Sequence, residues 1–256
     1  GDYERPSVTV DMIVYRMKAD MSCLQLLLIK RENHPYIDQW ALPGGFIEMT
    51  ESSYEAACRE LQEETGLTDV YLEQLYTMSK PNRDPRMRVI SIAYTALLPY
   101  GNAKMIKAGD DAKDAAWFDV SFSNGKLQLK SKEKNTTITY TLKSESFTNG
   151  LIRTKNYVPV IETEDKLAFD HDQIILESLM RLQNKAKYTD IVFNLVPIKF
   201  TLPDLQNVYE IILGEKLYKA NFREKIKKRT IKTRELDFSI IGNSNQRSIL
   251  YMYKGD

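Results

Sequence analysis

The sequence is poor in the residues that would tie it to an oxidising compartment or to a membrane. Its two cysteines, Cys23 and Cys58, lie in apolar contexts without metal-ligand spacing, so we expect small core residues rather than a disulfide or a zinc site. No apolar run approaches transmembrane length, and the N-terminal residues lack the pattern of a signal peptide. These absences predict a cytoplasmic protein that does not act at a membrane.

Net charge and histidine are also scarce. The 256 residues carry a formal net charge of +1, but nine basic residues and one acid between Lys216 and Arg234 give that stretch a net charge of +8. The two histidines, His34 beside a proline and His171 in a predicted first helical turn, are most simply structural. A chain of this length and ordinary composition can form one large or two modest domains.

The strongest pattern lies between Gly45 and Leu67. Gly44-Gly45 is a break at which the backbone can turn tightly or approach a ligand closely. A helix follows, for which Thr50 is the predicted cap and Gly66 the predicted end. Its predicted buried stripe contains Tyr54, Ala57, Cys58 and Leu61.

Three carboxylates share another face of this helix. Glu60, Glu63 and Glu64 recur at i, i+3 and i+4, a spacing that brings them together although like charges repel. Divalent cations favour such a cluster, because Mg²⁺ takes oxygen ligands and is usually held by one or two carboxylates plus substrate phosphates. For an isolated Glu-x-x-Glu-Glu the alternative is a solvated acidic face.

The complete spacing resembles the Nudix box, Gly-x5-Glu-x7-Arg-Glu-aliphatic-x-Glu-Glu-x-Gly-aliphatic, with every defined position filled. The resemblance implies an α/β/α sandwich with a mixed sheet. It also implies a Mg²⁺- or Mn²⁺-dependent hydrolase of a nucleoside diphosphate derivative, with ADP-ribose first among the candidates. The implied catalytic residues are Glu51, Arg59, Glu60 and Glu63, and the implied metal ligands are Gly44, Glu60, Glu63 and Glu64.

Arginines form a second group of candidates. Arg59 can reach Glu55 or Glu51 and so orient the carboxylates. A turn-rich loop from 81 to 88 carries three more, whose planar charged groups suit either a diphosphate clamp or a solvated surface. The sequence Arg83-Asp84-Pro85-Arg86 resembles a loop of ADP-ribose pyrophosphatase-type Nudix proteins, which favours the clamp. The candidate substrate-binding residues are therefore Gly45, Arg83, Arg86 and Arg88.

The remaining Nudix-like region is predicted from alternation and turn residues. Strands are expected at 7–15, 24–29, 40–46, 70–77 and 89–98. The segment Asp110 to Phe118 resembles the one that precedes the last Nudix strand, and its acids are candidates for a base, for solvation or for capping. An inserted hairpin, expected within residues 121–165, is predicted to face solvent, and Asp170 is the predicted cap of a helix reaching Lys187.

Past residue 196 the character of the chain changes. A helix capped by Thr201, a turn at Gly214, a basic helix from 219 to 229 and two strands around the 242–245 turn predict a winged helix-turn-helix. Its basic residues can neutralise DNA phosphates, and the alternative is a basic surface that serves solubility or dimer contacts. The candidate DNA-binding residues are Lys219, Asn221, Arg223, Lys225, Lys227, Lys228, Arg229 and Arg247.

The two regions together resemble the Nudix-related transcriptional regulators of NAD metabolism, notably in Phe200 to Glu210 and Asn221-Phe222-Arg223. The resemblance implies a homodimer that binds operator DNA and senses ADP-ribose-like metabolites. Many such regulators carry a degraded box, whereas the intact box here favours retained hydrolysis. We therefore expect a Nudix domain over residues 1–196 and a winged helix domain over 197–256. The leading hypothesis is a pyrophosphohydrolase, and the alternative is a DNA-binding regulator with little or no hydrolysis.

Overall fold

The computed structural model describes residues 2–101, 112–242 and 245–255. Its main sheet contains β1 (Ser7–Met17), β2 (Leu24–Arg31), β3 (Trp40–Ala41), β4 (Gly44–Phe46), β5 (Tyr71–Met78), β6 (Val89–Leu97), β7 (Ala112–Ser123), β8 (Lys126–Ser131), β9 (Thr136–Asn149) and β10 (Ile152–Ile161). The strand order is β10-β9-β8-β7-β2-β1-β6-β5, with β3 beside β2 and β4 beside β1. β1 and β6 run parallel and the other pairs antiparallel, so the predicted mixed sheet is confirmed.

A helix covers each face of this sheet, and successive residues of β1 contribute alternately to the two buried clusters. Val10, Met12 and Val14 pack with α1 (Ser53–Thr65), whereas Ile13 and Tyr15 pack with α2 (His171–Tyr188). The result is the predicted α/β/α sandwich. Trp40 is 4% exposed and packs edge-on against Phe118, as expected for a core residue.

The inserted segment lies within the predicted bounds, contains one strand more than predicted and continues the main sheet. β8 and β9 form the expected hairpin, but β9 extends to Asn149 and pairs with a third strand, β10, which the sequence analysis did not predict. Leu127 and Ile138 are fully buried, so the inner half of the insertion belongs to the core. Only its outer half faces solvent, with Leu151 fully exposed at the tip.

The C-terminal region has the predicted winged helix arrangement. It contains β11 (Lys199–Phe200), α3 (Leu202–Leu213), α4 (Lys219–Ile226), β12 (Thr230–Phe238) and β13 (Arg247–Tyr253). The Thr201 hydroxyl caps α3 by accepting from the Asp204 N–H, and Gly214 ends α3 in the left-handed region with φ +71°, as predicted. The basic helix is shorter than expected, because its last turn, Lys227–Arg229, tightens into a 3-10 helix. Residues 243 and 244 of the predicted 242–245 turn lie outside the described residues.

The core is continuous across the expected boundary between the two regions. Leu195, Val196 and Phe200 belong to the same buried cluster as the inner face of α2. The Asn207 side-chain amide of α3 donates to the Met21 carbonyl, 2.8 Å away, in the β1–β2 turn. The boundary after residue 196 stays a prediction. Across the described ranges, no helix has the length and hydrophobicity needed to cross a bilayer.

Candidate functional site

Helix α1 positions the acidic cluster, and Ser52 rather than Thr50 caps it. The Ser52 hydroxyl accepts from the Glu55 N–H at 3.2 Å, and the Glu55 carboxylate accepts from the Ser52 N–H at 2.6 Å. This reciprocal capping box satisfies two N–H groups and outcompetes the single bond that Thr50 could offer. Gly66 ends the helix in the left-handed region, with φ +72°, as predicted.

The buried face of α1 differs in part from the predicted stripe. Ala57 and Leu61 are buried as expected, and Ala56 is buried with them. Tyr54 is 53% exposed and Cys58 half-buried, because small residues allow the helix to lie close to the sheet while Tyr54 remains at the rim. The rotation of the helix turns Glu60 and Glu64 inward.

The three carboxylates of α1 lie in different environments. Glu60 and Glu64 are 7% and 5% exposed, whereas half of the Glu63 side chain is exposed. A Cβ atom at position 45 would clash with the Glu60 carboxylate, so the glycine allows that carboxylate to lie against β4. Burial raises the pKa of Glu60, and the nearby Glu63 adds to this shift. A bound cation would relieve both effects.

Arg59 holds the cluster, as the sequence predicts. Its guanidinium donates two hydrogen bonds to Glu51, at 3.1 and 2.6 Å, and one to Glu60 at 3.0 Å, and its Nη1 lies 3.6 Å from Glu63. The hydrogen bond from Arg59 lowers the pKa of Glu51. Of its two candidate partners, Glu55 and Glu51, Arg59 therefore binds Glu51. Because Arg59 also donates to Glu60, it fixes the orientation of the Glu60 carboxylate.

The three arginines of the 81–88 loop do not converge as a clamp. Arg83 is buried and donates two hydrogen bonds to Asp170, at 2.9 and 2.6 Å. Arg86 pairs with Asp84 at 2.8 Å and keeps 40% of its side chain exposed, while Arg88 donates to the Ser79 carbonyl. Only Arg83 and Arg86 line the pocket that contains the acidic cluster. Asp170 is at the N-cap position of α2 as predicted, but its carboxylate binds Arg83 instead of capping the helix.

A buried group beside Arg83 was missed by the sequence analysis. Asp11 of β1 lies 3.6 Å from the Arg83 guanidinium and 3.4 Å from His171 Nε2, and it accepts a short hydrogen bond from Ser91. His171 Nδ1 accepts from the Leu42 N–H at 3.0 Å, so the neutral ring carries its proton on Nε2, facing Asp11. Burial lowers the pKa of His171 and keeps it neutral near pH 7.

These side chains surround a cavity of about 600 Å³, a size typical of small-molecule sites. Its wall combines the acidic edge of α1, the Gly44-Gly45 backbone, the arginine loop and the start of α2. Phe169 and Arg31 also line it, with the Arg31 guanidinium 4.8 Å from the Phe169 ring centre. Both escaped prediction because no local spacing links them to the motif.

The charge of this cavity fits a divalent cation. Counting the residues that the structure describes, its wall contains four arginines (Arg31, Arg59, Arg83 and Arg86) and six acids (Asp11, Glu48, Glu60, Glu63, Glu64 and Asp84), a formal net charge of −2. A diphosphate would be repelled unless cations accompany it. Among the described residues, no three acidic, histidine or cysteine side chains form a complete metal-binding group. Glu60 and Glu64 would therefore share a cation with the Gly44 carbonyl, water and phosphate oxygens, as Mg²⁺ commonly requires.

The segment from Asp110 to Phe118 does not precede the strand as expected, because β7 begins at Ala112 and already includes Trp117 and Phe118. Asp110 and Asp111 lie outside the described residues. The Asp114 carboxylate pairs with Lys134 of the insertion at 2.8 Å and does not line the cavity. Asp114 therefore anchors the insertion rather than supplying a base.

The candidate DNA-binding residues lie on an exposed basic surface. Lys219, Arg223, Lys227 and Lys228 are exposed on α4 and its 3-10 extension, and Arg247 begins β13 next to Phe238. Asn221 and Lys225 are exposed as well, and together with the half-buried Arg229 they line a cleft between α4 and the end of α2. Phe222 and Ile226 are buried and anchor α4.

Comparisons with known proteins agree with both halves of this geometry. The NUDIX domain model matches residues 5–136, and the NrtR DNA-binding winged helix domain model matches residues 192–239. The chain is 33% identical over 230 residues to the ADPR responsive transcriptional repressor NtrR of Acinetobacter baylyi, covering 88% of this chain and 74% of that protein. It is 44% identical over 119 residues to the ADP-ribose pyrophosphatase of Methanocaldococcus jannaschii, covering 46% of this chain and 65% of that protein.

Solved structures extend the similarity to nearly the whole chain. A MutT/nudix family protein from Enterococcus faecalis superposes with a TM-score of 0.79 at 30% identity, covering 99% of this chain and 88% of that one. Shewanella oneidensis NrtR in complex with a 27mer DNA superposes with a TM-score of 0.70 at 27% identity, covering 96% and 93%. The chain belongs to the Nudix family and carries a C-terminal winged helix domain of the NrtR type.

Proposed function

We propose that the protein is a divalent-metal-dependent hydrolase of nucleoside diphosphate derivatives, and that ADP-ribose is its substrate. The observation that carries this proposal is the complete motif, with Glu60 and Glu64 buried on the wall of a cavity of diphosphate-binding size. The relative named as an ADP-ribose pyrophosphatase, which aligns across the motif-bearing region, supports the choice of substrate.

Some residues of the cavity would neutralise charge, and others hold reacting groups in orientation. A cation held by Glu60, Glu64 and the Gly44 carbonyl would neutralise the diphosphate and lower the pKa of an attacking water. Arg59 and Glu51 keep Glu60 in place, and the half-exposed Glu63 can orient the water. Arg86 is the more exposed of the two pocket-lining loop arginines, so it can turn toward a phosphate oxygen. Arg83 instead forms buried ion pairs with Asp11 and Asp170.

Turnover of ADP-ribose with Mg²⁺, followed by AMP release, tests this proposal. Glu64→Gln keeps the shape of the side chain and removes its charge, so we expect turnover to fall by roughly a thousandfold or more while the melting temperature is retained. The matched control is Glu177→Gln, the same change at an exposed position of α2, which should leave turnover unaltered. Equal turnover in wild type and Glu64→Gln would reject the hydrolase assignment.

A second candidate function is regulation of transcription by DNA binding. We propose that the winged helix binds a palindromic operator as part of a homodimer, and that ADP-ribose in the cavity alters this binding. The exposed basic face of α4 supports the proposal, as does the repressor that aligns with 88% of the chain. Both functions can reside in one polypeptide, because the acidic edge of α1 and the basic face of α4 belong to different regions.

Fluorescence anisotropy with a labelled palindromic duplex tests the regulatory function. We expect salt-sensitive binding that shifts when ADP-ribose is added without metal, so that hydrolysis cannot intervene. Glu64→Gln should bind the duplex as wild type does, which separates this function from catalysis. Absence of salt-sensitive binding at every protein concentration would exclude it, whatever the hydrolysis assay shows.

A further inference from the structure

A second cavity, of about 450 Å³, lies where the end of α2 meets α3 and α4. We call this cavity the junction cleft. Among the residues described by the structure, it shares none of its lining with the cavity beside the acidic cluster. Its size is typical of small-molecule sites, which occur preferentially between helices and between domains.

The floor of the junction cleft is aromatic. Tyr209 and Phe222 are buried and meet edge to face, with ring centres 5.4 Å apart, and Ile226 lies beside them. Tyr218 stands at the mouth with 83% of its surface exposed. A floor of this kind suits a flat ring, which can pack against the aromatic faces.

The rim of the junction cleft is positively charged. Lys187, Lys216, Lys225 and Arg229 line it, against two acids, Asp190 and Glu215. Arg229 lies 3.6 Å from Asp190, whose second oxygen accepts from the Tyr253 hydroxyl at 2.6 Å. Within the described part of the chain, no carboxylate lies within 4.0 Å of Lys187 or Lys225. These two lysines, on α2 and α4, can therefore take an anionic group from either side.

We propose that the junction cleft binds a small ligand that combines a planar ring with an anionic group, the chemistry of a nucleoside monophosphate. The ring lies on the floor formed by Tyr209 and Phe222, and the anionic group lies between Lys187 and Lys225. Because Asn221, Lys225 and Arg229 also belong to the predicted DNA-binding set, an occupied cleft withdraws them from DNA. The site is independent of whether the first cavity hydrolyses ADP-ribose.

Isothermal titration of the full chain with AMP, in the absence of divalent metal, tests the proposal. Lys187→Glu reverses one positive charge on the rim of the cleft. We expect Lys187→Glu to weaken AMP binding by at least about fivefold. Lys219→Glu is the matched control, since it makes the same charge reversal on α4 without lining the cleft. Adenosine and inorganic phosphate, titrated separately, should each bind more weakly than AMP.

Three results would overturn the proposal. Absence of AMP binding would remove the site. AMP binding that is unchanged in Lys187→Glu and weakened in Arg86→Ala would place the nucleotide in the first cavity. Equal weakening by Lys187→Glu and Lys219→Glu would show general attraction to a basic surface of the kind that DNA phosphates use.

Discussion

The two ends of this molecule carry charge in opposite ways. In the cavity beside the acidic cluster several charged groups are buried and paired, with Arg83 between Asp11 and Asp170, and the partly exposed Arg59 lies between Glu51 and Glu60. On α4 the charged groups are exposed, and Lys219 and Arg223 extend toward solvent, as does Lys228 in the 3-10 turn that follows. The first arrangement costs desolvation energy and gives fixed geometry, whereas the second costs little and gives long-range attraction.

This difference suits two kinds of ligand. A reacting diphosphate needs donors and cations that are already in place, because misplacement by 1 Å can cost about a hundredfold in rate. A duplex presents a regular line of phosphates, and mobile exposed cations can adjust to it while releasing counterions. Variants in one region should therefore act through geometry, and variants in the other through ionic strength.

The largest expected effect comes from breaking a buried pair. Arg83→Met leaves Asp170 and Asp11 buried without their cation, so the free energy of unfolding should fall by about 3–5 kcal/mol. Lys199→Met, which breaks an exposed pair with Glu235 in the winged helix region, should cost less than about 1 kcal/mol. Urea unfolding measures both, and similar losses would erase the contrast between the two regions.

Gly45→Ala should be the next most damaging change. The added Cβ would clash with the Glu60 carboxylate, and the side chain rather than the strand should yield. We expect turnover to fall by about a hundredfold with little change in melting temperature. Steady-state kinetics with Mg²⁺ and circular dichroism on the same samples distinguish displacement of Glu60 from loss of the fold. Full activity would mean that the position of Glu60 is not critical.

Asp172, in the first turn of α2, gives a smaller and pH-dependent effect. Burial raises its pKa to about 6, above the value in an unfolded chain, so the folded state binds the proton more tightly. This group's contribution to stability is therefore lost as pH rises from about 4 to 6. Asp172→Asn should raise the free energy of unfolding by about 1–2 kcal/mol at pH 7 and change it little at pH 4. An equal change in the free energy of unfolding at both pH values would contradict a raised pKa of Asp172 in the folded state.

The smallest effects are expected on the basic face. Arg223→Ala removes one exposed cation of α4, so the slope of log affinity against log salt should decrease by about one while unfolding is unchanged. Lys166→Ala, at an exposed position outside the winged helix, is the control and should leave the slope as it is. A slope that Arg223→Ala does not alter would remove this residue from the DNA contacts.

The sequence predicts well whatever is encoded locally. The carboxylate spacing, both glycine helix ends and the order helix, turn, basic helix and ribbon all follow from neighbouring residues, and Glu51 was one of the two partners predicted for Arg59. Competition between nearby caps was harder to predict, since Ser52 prevails over Thr50 through a bond that returns from Glu55. The exposed position of Tyr54 also depended on how closely α1 approaches the sheet.

Long-range partners could not be predicted from spacing. Arg83 and Asp170 are 87 residues apart, and Asp11 and His171 are further apart still, so only the folded sheet brings them together. The predicted phosphate role of Arg83 took no account of this competing carboxylate. The strand β10 was missed because its residues alternate weakly and are mostly exposed, leaving little hydrophobic signal.

The central claim is that the acidic edge of α1 holds a divalent cation beside a diphosphate. Electron paramagnetic resonance of Mn²⁺, titrated into the protein with a non-hydrolysable ADP-ribose analogue, measures this directly. Wild type should bind Mn²⁺ more tightly with the analogue present, and a Glu60→Gln, Glu64→Gln double variant should lose that binding while remaining folded. Unchanged Mn²⁺ binding in the double variant would contradict the claim.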